Sequence, residues 1–199
     1  ADILLAFVGG PSERGVSDVS RELGISKAVV HRSLQSLVSR QLLAVDSATR
    51  KYRLGPAATV LGARALRDSQ LRRAALPLLH TLASSSGETA TLSQLVGHTR
   101  VYLDQVESAQ EIKMTVETGR PFPLHAGSSG RAILAFLPAA EEEKVLAEAL
   151  PTLTSRTMTD PGELRRALAH VASEGVAVSR GERQEGAGSV AAPVFGIDG

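Results

Sequence analysis

Apolar residues near the start of the chain recur every three or four positions, the period of an α-helix with one buried face. In residues 17–38 this pattern is interrupted once, at Gly24 and Ile25, and then resumes. The periodic apolar positions are Val19, Leu23, Val30, Leu34, Leu37 and Val38. Ser17 and Ser26 stand where helix N-caps belong, and Gly24 stands where the first helix must turn. The pattern predicts two helices joined by a tight turn, with Ile25 filling the corner.

The second of these helices carries a polar face opposite its apolar stripe. Arg, Lys, Gln and small hydroxyl residues in the first half of such a helix read base edges and contact phosphates in a major groove. The segment is therefore predicted to be a helix-turn-helix. Its predicted DNA-binding residues are Ser17, Ser26, Lys27, His31, Arg32, Gln35 and Ser36. An ordinary helical hairpin with a solvated polar face is the alternative.

A short β-hairpin is predicted directly after the second helix. Its apolar positions are Leu42, Leu43, Val45, Tyr52 and Leu54, and the turn-forming residues 46–51 lie between them. A hairpin in this place forms a wing, from which Arg50, Lys51 and Arg53 would reach phosphates or the minor groove. A solvated loop with routine charges is the alternative.

Two further helical segments flank this region. Residues 2–8 form an amphipathic stretch that ends at Gly9-Gly10-Pro11 and would support the helix-turn-helix from behind. Pro56 begins another helix, whose apolar stripe contains Val60, Leu61, Ala65 and Leu66. This stripe is long enough to leave the first domain, so residues 56–70 are predicted to be a linker helix. The helix after it contains Pro77, which predicts a kink.

From residue 88 onward the apolar period shortens to that of strands. The predicted strands are 89–96, 101–106, 112–117, 176–179 and 189–195, and the predicted helices are 128–137, 139–150 and 161–175. This succession predicts an α+β domain. The predicted organisation is a winged helix-turn-helix domain at 1–55, the linker helix at 56–70, and a second domain at 71–199.

Composition and charge narrow the possible functions. The chain has 199 residues, 43% of them apolar, a formal net charge of +1 and no cysteine. No apolar run approaches the roughly 20 residues of a membrane span, and no signal peptide is visible, so a cytoplasmic protein is expected. Residues 21–73 hold eleven Lys and Arg against three Asp and Glu. This asymmetry is typical of a nucleic-acid-binding part joined to a part with another task.

No catalytic or metal site is expected. His125 has no second histidine at ligand spacing and no carboxylate cluster beside it, so a structural histidine is the favoured interpretation. The serines near it lack the Gly-x-Ser-x-Gly arrangement of a nucleophile elbow, and no Walker sequence is present. We therefore predict no enzyme activity, no metal and no cofactor.

Residues 124–131, Leu-His-Ala-Gly-Ser-Ser-Gly-Arg, form the most polar loop of the second half and lead into a predicted helix. Backbone N–H groups at a helix start, without bulky side chains around them, bind a carboxylate or another polar ligand group. A plain N-cap turn is the alternative. Leu124 and Met114 are predicted to supply the apolar walls of this ligand-binding site.

Several short motifs occur in an order and spacing that resemble the IclR family of bacterial transcription regulators over almost the whole chain. The matching stretches are 25–27 with 30–32, 52–55, 86–89, 101–108, 123–126 and 191–195. The resemblance implies an N-terminal winged helix-turn-helix, a linker helix and a C-terminal GAF-like domain that binds a small-molecule effector. It also implies a homodimer or dimer of dimers on double-stranded palindromic operator DNA. Family members often carry hydroxyl residues where this chain has Ala28 and Val29.

The resemblance also implies where the effector binds. Family effectors lie against the loop that matches Gly127, Ser128, Ser129 and Gly130, and against strand positions that match Ser179 and Ser189. Members with small-acid effectors can carry Asp and Cys at those two strand positions. The family's last strand and helix would follow Asp198 and Gly199, so the chain is expected to stop short of a complete domain. It does not begin with Met, so earlier residues are expected too.

The predicted function is therefore DNA-binding transcription regulation, as a repressor rather than an activator, modulated by a small-molecule effector. The alternative is a small-molecule-binding enzyme or sensor with a basic protein-interaction module at its N-terminus.

Overall fold

In the computed structural model of the protein, residues 1–196 are described. The chain forms two compact units, one at Ala1–Leu78 and one from Leu79 onward. Residues 197–199, with which the predicted second domain ends, lie outside the described residues. The first unit therefore includes the segment 56–70 that was predicted to be a linker helix.

The first unit contains the predicted helix-turn-helix, hairpin and following helix. Its elements are α1 Asp2–Leu5, α2 Val16–Leu23, α3 Lys27–Ser39, β1 Leu43–Val45, β2 Tyr52–Leu54 and α4 Pro56–Asp68, and α5 Gln70–Ser86 crosses into the second unit. α1 ends at Leu5, earlier than the predicted residue 8. β1 and β2 pair antiparallel, with Leu43 opposite Leu54 and Val45 opposite Tyr52.

The apolar periodicity of the first unit produces one core. Val19 of α2 and both Val30 and Leu34 of α3 are 0% exposed, and they pack with Leu43 and Tyr52 of the hairpin and with Ile3 and Phe7 near α1. Ile25 is half-buried against the same cluster, as predicted for the corner. Gly24 has a φ of +66°, so it ends α2 in the left-handed conformation that glycine adopts at low cost.

The start of α2 differs from the prediction. Ser17 is not its N-cap; the helix begins two residues earlier than predicted, at Val16, and Gly15 is the capping residue. The side chain of Asp18 accepts a hydrogen bond from the Gly15 N–H at 3.0 Å. A carboxylate at the third helical position thus satisfies the backbone donor of the N-cap residue. Ser26 does occupy the N-cap position of α3, although its hydroxyl makes no capping hydrogen bond.

The second unit is α+β, as predicted. Its elements are β3 Ala90–Val96, β4 Thr99–Val106, β5 Pro121–Pro123, α6 Ser128–Leu134, α7 Ala139–Ala147, α8 Pro161–Glu174, β6 Ala177–Arg180 and β7 Gly188–Ala191. Strands β3, β4 and β5 form one antiparallel sheet in that order, and β6 and β7 form a second. α6 packs against α8 and against both strands of the second sheet.

The predicted strand at 112–117 is wrong. This segment is irregular, and the third strand of the sheet is instead β5. The side chain of Gln105, on β4, takes both backbone groups of Val116: its Nε2 donates to the Val116 oxygen at 3.1 Å, and its Oε1 accepts from the Val116 N–H at 2.9 Å. A side chain thus replaces the strand partner that the apolar pattern suggested.

The core of the second unit joins the 124–131 loop to the helices. Its buried members are Leu124, Leu134, Val145, Leu146, Leu164 and Leu168. α6 and α7 end three residues before their predicted ends, at Leu134 and Ala147. α8 has the predicted limits, because Asp160 caps its start by accepting from the Glu163 N–H at 2.7 Å and Gly175 ends it at a φ of +71°.

Candidate functional sites

α3 presents one buried face and one exposed face. Its buried face contains Val30 and Leu34. Its exposed face carries the predicted DNA-binding residues Lys27, His31, Arg32, Gln35 and Ser36. Within residues 1–196 no ion pair or side-chain hydrogen bond engages Lys27, His31 or Arg32. These donors are therefore available to an external partner rather than spent on the fold.

Gln35 differs from the other residues of this face. Its Nε2 donates to the phenol oxygen of Tyr52 at 3.0 Å, and Tyr52 is only 4% exposed. Tyr52 belongs to β2, so this hydrogen bond joins the exposed face of α3 to the hairpin. Gln35 therefore positions the hairpin against the helix, and its role as a DNA-binding residue stays a prediction.

The hairpin turn is held in shape by Asp46. Its Oδ1 accepts from the Ala48 N–H at 2.9 Å, the Thr49 N–H at 2.7 Å and the Thr49 hydroxyl at 3.0 Å. The hydrogen bonds from Thr49 lower the pKa of the Asp46 carboxyl, because they favour its ionised form. Arg50 follows with a φ of +59°. Arg50 and Lys51 are exposed at the tip, as a wing requires.

Arg14 is a structural residue that the sequence patterns did not reveal. It exchanges two backbone hydrogen bonds with Tyr52, of 2.9 and 2.8 Å, which adds a one-residue bridge to the hairpin. Its guanidinium pairs with Glu22 on α2 and donates to the Ala6 oxygen at 2.5 Å. The pair raises the pKa of Arg14 and lowers that of Glu22. The backbone and side chain of this one residue thus tie the hairpin to both α2 and the end of α1.

Three of the predicted effector-binding serines lie together in the second unit. The Ser128 hydroxyl donates to Ser189 Oγ at 2.7 Å, and Ser189 stands directly opposite Ser179 in the pairing of β6 with β7. Ser128 and Ser179 are 1% and 4% exposed, whereas Ser189 is exposed. The start of α6 and one rung of the second sheet therefore combine into a small cluster of hydroxyl groups.

The 127–130 loop is braced by Glu182, which the sequence patterns did not single out. The Gly127 N–H donates to Glu182 Oε2 at 3.2 Å, and Arg131 forms a buried ion pair with the same carboxylate. Arg131 also donates to the Val178 oxygen at 2.5 Å. The N–H of Gly127 is therefore taken, which corrects the expectation that it is open to a ligand. Ser129, half-buried, follows in the first turn of α6.

The remaining predicted residues of the effector site differ in how deeply they are buried. Leu124 is 1% exposed and packs in the core with Leu134. Gly130 lies so close to the Leu124 backbone that an added Cβ would stand 2.3 Å from its oxygen. Met114 is half-buried in the irregular segment between β4 and β5. The parts of Met114 and Leu124 as walls of a pocket stay predictions.

His125 has a structural environment. Its ring is 1% exposed, and its Nε2 lies 3.0 Å from the Pro151 oxygen, so the tautomer that carries a proton on Nε2 donates to that carbonyl. Burial lowers the pKa of His125. Among residues 1–196 no group of three or more His, Asp or Glu could hold a metal ion, and no described helix is long and apolar enough to cross a membrane.

Comparisons with known proteins agree with this arrangement. The IclR helix-turn-helix domain matches residues 1–47, and the C-terminal domain of the bacterial transcriptional regulator IclR matches residues 63–199. HTH-type transcriptional regulator BhcR of Paracoccus denitrificans is 32% identical over 197 residues, which cover 98% of this chain and 71% of that protein.

Solved structures give the same result. The crystal structure of an IclR-type regulator from Silicibacter sp. TM1040 superposes with a TM-score of 0.87 at 32% identity, covering 98% of this chain and 78% of that one. An IclR homologue of Microbacterium hydrocarbonoxydans, crystallised with 4-hydroxybenzoate, gives a TM-score of 0.70 at 26% identity over 98% of this chain and 82% of that one. The protein belongs to the IclR family of transcriptional regulators and carries the family's helix-turn-helix DNA-binding domain.

Proposed function

We propose that the protein binds operator DNA through the exposed face of α3 and through the wing. The observation that carries this proposal is the set of exposed donors on α3, among which Lys27, His31 and Arg32 have no partner within residues 1–196. His31, Arg32 and Ser36 would contact base edges in the major groove, and Lys27, Arg50 and Lys51 would contact mainly phosphates. Ser17 and Ser26 would add contacts at the starts of α2 and α3.

The second part of the proposal is control of operator affinity by a small molecule. The effector would lie beside Ser128, Ser129, Ser179 and Ser189, whose hydroxyl groups offer both donors and acceptors. Support comes from the hydroxyl cluster itself and from the homologue crystallised with 4-hydroxybenzoate. The protein would act in the cytoplasm as a homodimer or a dimer of dimers, and as a repressor that the effector releases.

Two substitutions test the DNA interface. Arg32→Ala should cost about 1–3 kcal/mol of binding free energy at the preferred sequence, because it would remove a bidentate base contact. Lys51→Ala should weaken binding to every sequence. It should also reduce the slope of log affinity against log salt concentration by about one, because one phosphate contact is lost. Fluorescence anisotropy on duplexes from the region upstream of its own gene, at several salt concentrations, measures both effects.

The exposed Arg166 of α8 supplies a matched control, since it lies in the second unit and outside the proposed interface. Arg166→Ala should bind DNA like the unmodified protein. If Arg32→Ala and Lys51→Ala also bind like the unmodified protein, α3 and the wing are not the DNA interface and the proposal fails.

A further inference from the structure

Two arginines of the second unit meet on the same pair of aromatic rings. The guanidinium carbon of Arg100, on β4, lies 4.5 Å from the ring centre of Tyr102 and 5.2 Å from that of Phe122. The guanidinium carbon of Arg183 lies 5.9 and 5.0 Å from the same two centres. The rings themselves pack edge to face at 5.5 Å. Two positive charges thus share one aromatic surface.

Arg100 is buried without a counter-charge. It is 1% exposed, its Nε has no hydrogen-bond partner, and its Nη1 lies 3.4 Å from the Ser93 hydroxyl. Burial lowers the pKa of Arg100, the neighbouring Tyr102 hydroxyl raises it, and the like charge of Arg183 lowers it again. Throughout residues 1–196 no carboxylate forms an ion pair with Arg100 or Arg183. Buried charges in folded proteins are ordinarily paired, so this guanidinium lacks its anion.

The arginine pair lies next to the predicted effector loop. A Cβ built on Gly127 would stand 3.7 Å from the Cβ of Arg183, so the stem of Arg183 runs along the residue that precedes α6. The following residue in sequence, Ser128, donates to Ser189. The arginine pair and the hydroxyl cluster therefore both adjoin the loop at residues 127–128.

We propose that Arg100 and Arg183 bind the carboxylate group of the effector, which is therefore a small organic acid whose remaining polar groups contact Ser128 and Ser189. A planar carboxylate matches the fork of a guanidinium, and the Tyr102 and Phe122 rings exclude water around the ion pair. This inference rests on the proposed function, since it assigns the chemistry of the effector.

Binding of acids and of their uncharged amides by the full chain tests the inference. The probes are acetate, pyruvate and 4-hydroxybenzoate, with acetamide, pyruvamide and 4-hydroxybenzamide as matched neutral compounds and inorganic phosphate and chloride as other anions. We expect at least one of the carboxylates, and none of the amides, to raise the melting temperature and to give a binding isotherm by calorimetry.

Substitutions then test whether the guanidinium groups of Arg100 and Arg183 bind the carboxylate. Arg100→Met should weaken binding of that carboxylate by at least about tenfold, because a charge-assisted hydrogen bond is lost. Without ligand it should raise the melting temperature, since an unpaired buried charge is removed. Arg183→Met should also weaken binding, and it decides the matter if Arg100→Met does not fold. Arg166→Met, on the exposed side of α8, is the control and should bind the carboxylate as the unmodified protein does.

Three results would overturn the inference: no carboxylate binds the unmodified protein, phosphate or chloride binds in place of the carboxylates, or the carboxylate binds Arg183→Met and every folded Arg100 variant undiminished. DNA binding by the unmodified protein without added acid is measured separately. If the unmodified protein does not bind DNA, the proposed function is contradicted. If it binds DNA but no carboxylate binds to it, only this inference is contradicted.

Discussion

His125 shows how burial decides the role of a single residue. The side chain is 1% exposed and bonded to the Pro151 oxygen, and burial is the main cause of its lowered pKa. The folded protein therefore resists protonation of this ring, while the unfolded chain takes up the proton near pH 6.5. The stabilisation is fully present above that pH and is lost as the pH falls from there toward the lower, folded-state pKa.

We therefore expect the free energy of unfolding of the second unit to fall between pH 7.5 and 5.5, with a contribution from His125 of at most about 1.4 kcal/mol per pH unit. His125→Gln keeps a donor for the Pro151 oxygen but cannot titrate, so its stability should vary less with pH. Urea denaturation at a series of pH values measures the difference. The exposed His170 is the control, and an equal flattening in His170→Gln would contradict the assignment.

At the scale of elements, close contact between α6 and the loop before it decides which residue is tolerated. Gly130 lies within α6, and a Cβ there would stand 2.3 Å from the Leu124 oxygen and 2.9 Å from its carbonyl carbon. Gly62 lies within α4, and a Cβ there meets nothing within 4 Å. The two glycines have the same chemistry in the same kind of element and differ only in their neighbours.

Gly130→Ala should therefore lower the free energy of unfolding by about 1–3 kcal/mol, because backbone atoms cannot move aside as a flexible side chain can. Gly62→Ala should instead stabilise the protein by roughly 0.5–1 kcal/mol, since alanine loses less entropy in a helix than glycine. Chemical denaturation of both variants measures the two changes. Equal effects of the two substitutions would mean that the contact with Leu124 has no energetic weight.

At the scale of the whole molecule, the first unit leaves an apolar surface uncovered. Val60 and Leu61 of α4 are 68% and 60% exposed. They border a groove of about 490 Å³ whose other lining residues are Arg40, Gln41, Leu42, Pro56 and Ala57. Exposed apolar surface of this kind marks an interaction site, and helix-turn-helix proteins commonly bind two half-sites as a dimer. We propose that a second chain covers this surface.

Sedimentation at micromolar concentration should therefore show at least a dimer. Leu61→Glu should shift the protein toward the monomer, because a carboxylate would be buried against an apolar surface. Thr59→Glu is the control, since Thr59 is exposed on α4 and does not line the groove. A monomeric unmodified protein, or equal dissociation in both variants, would contradict the proposal.

Local patterns were sufficient for most of the elements and for the family. The helix-turn-helix, the hairpin and the limits of α8 follow from apolar period, caps and turn residues, which act within a few positions of the chain. The exposed face of α3 was predictable for the same reason, because an amphipathic helix buries its apolar stripe and exposes the opposite side. Asp160 and Gly175 illustrate the point, since each acts on its own helix end.

Features that depend on distant partners required the folded chain. The segment 112–117 has the apolar pattern of a strand, yet Gln105 takes the backbone groups of Val116 and keeps it irregular. Arg14 has the sequence context of a loop residue, yet it is buried and paired with Glu22 on α2. Arg100 occupies a position in β4 that sequence alone could not distinguish from a solvated one. In each case a deciding partner lies eight or more residues away along the chain, beyond the few positions that a local pattern covers.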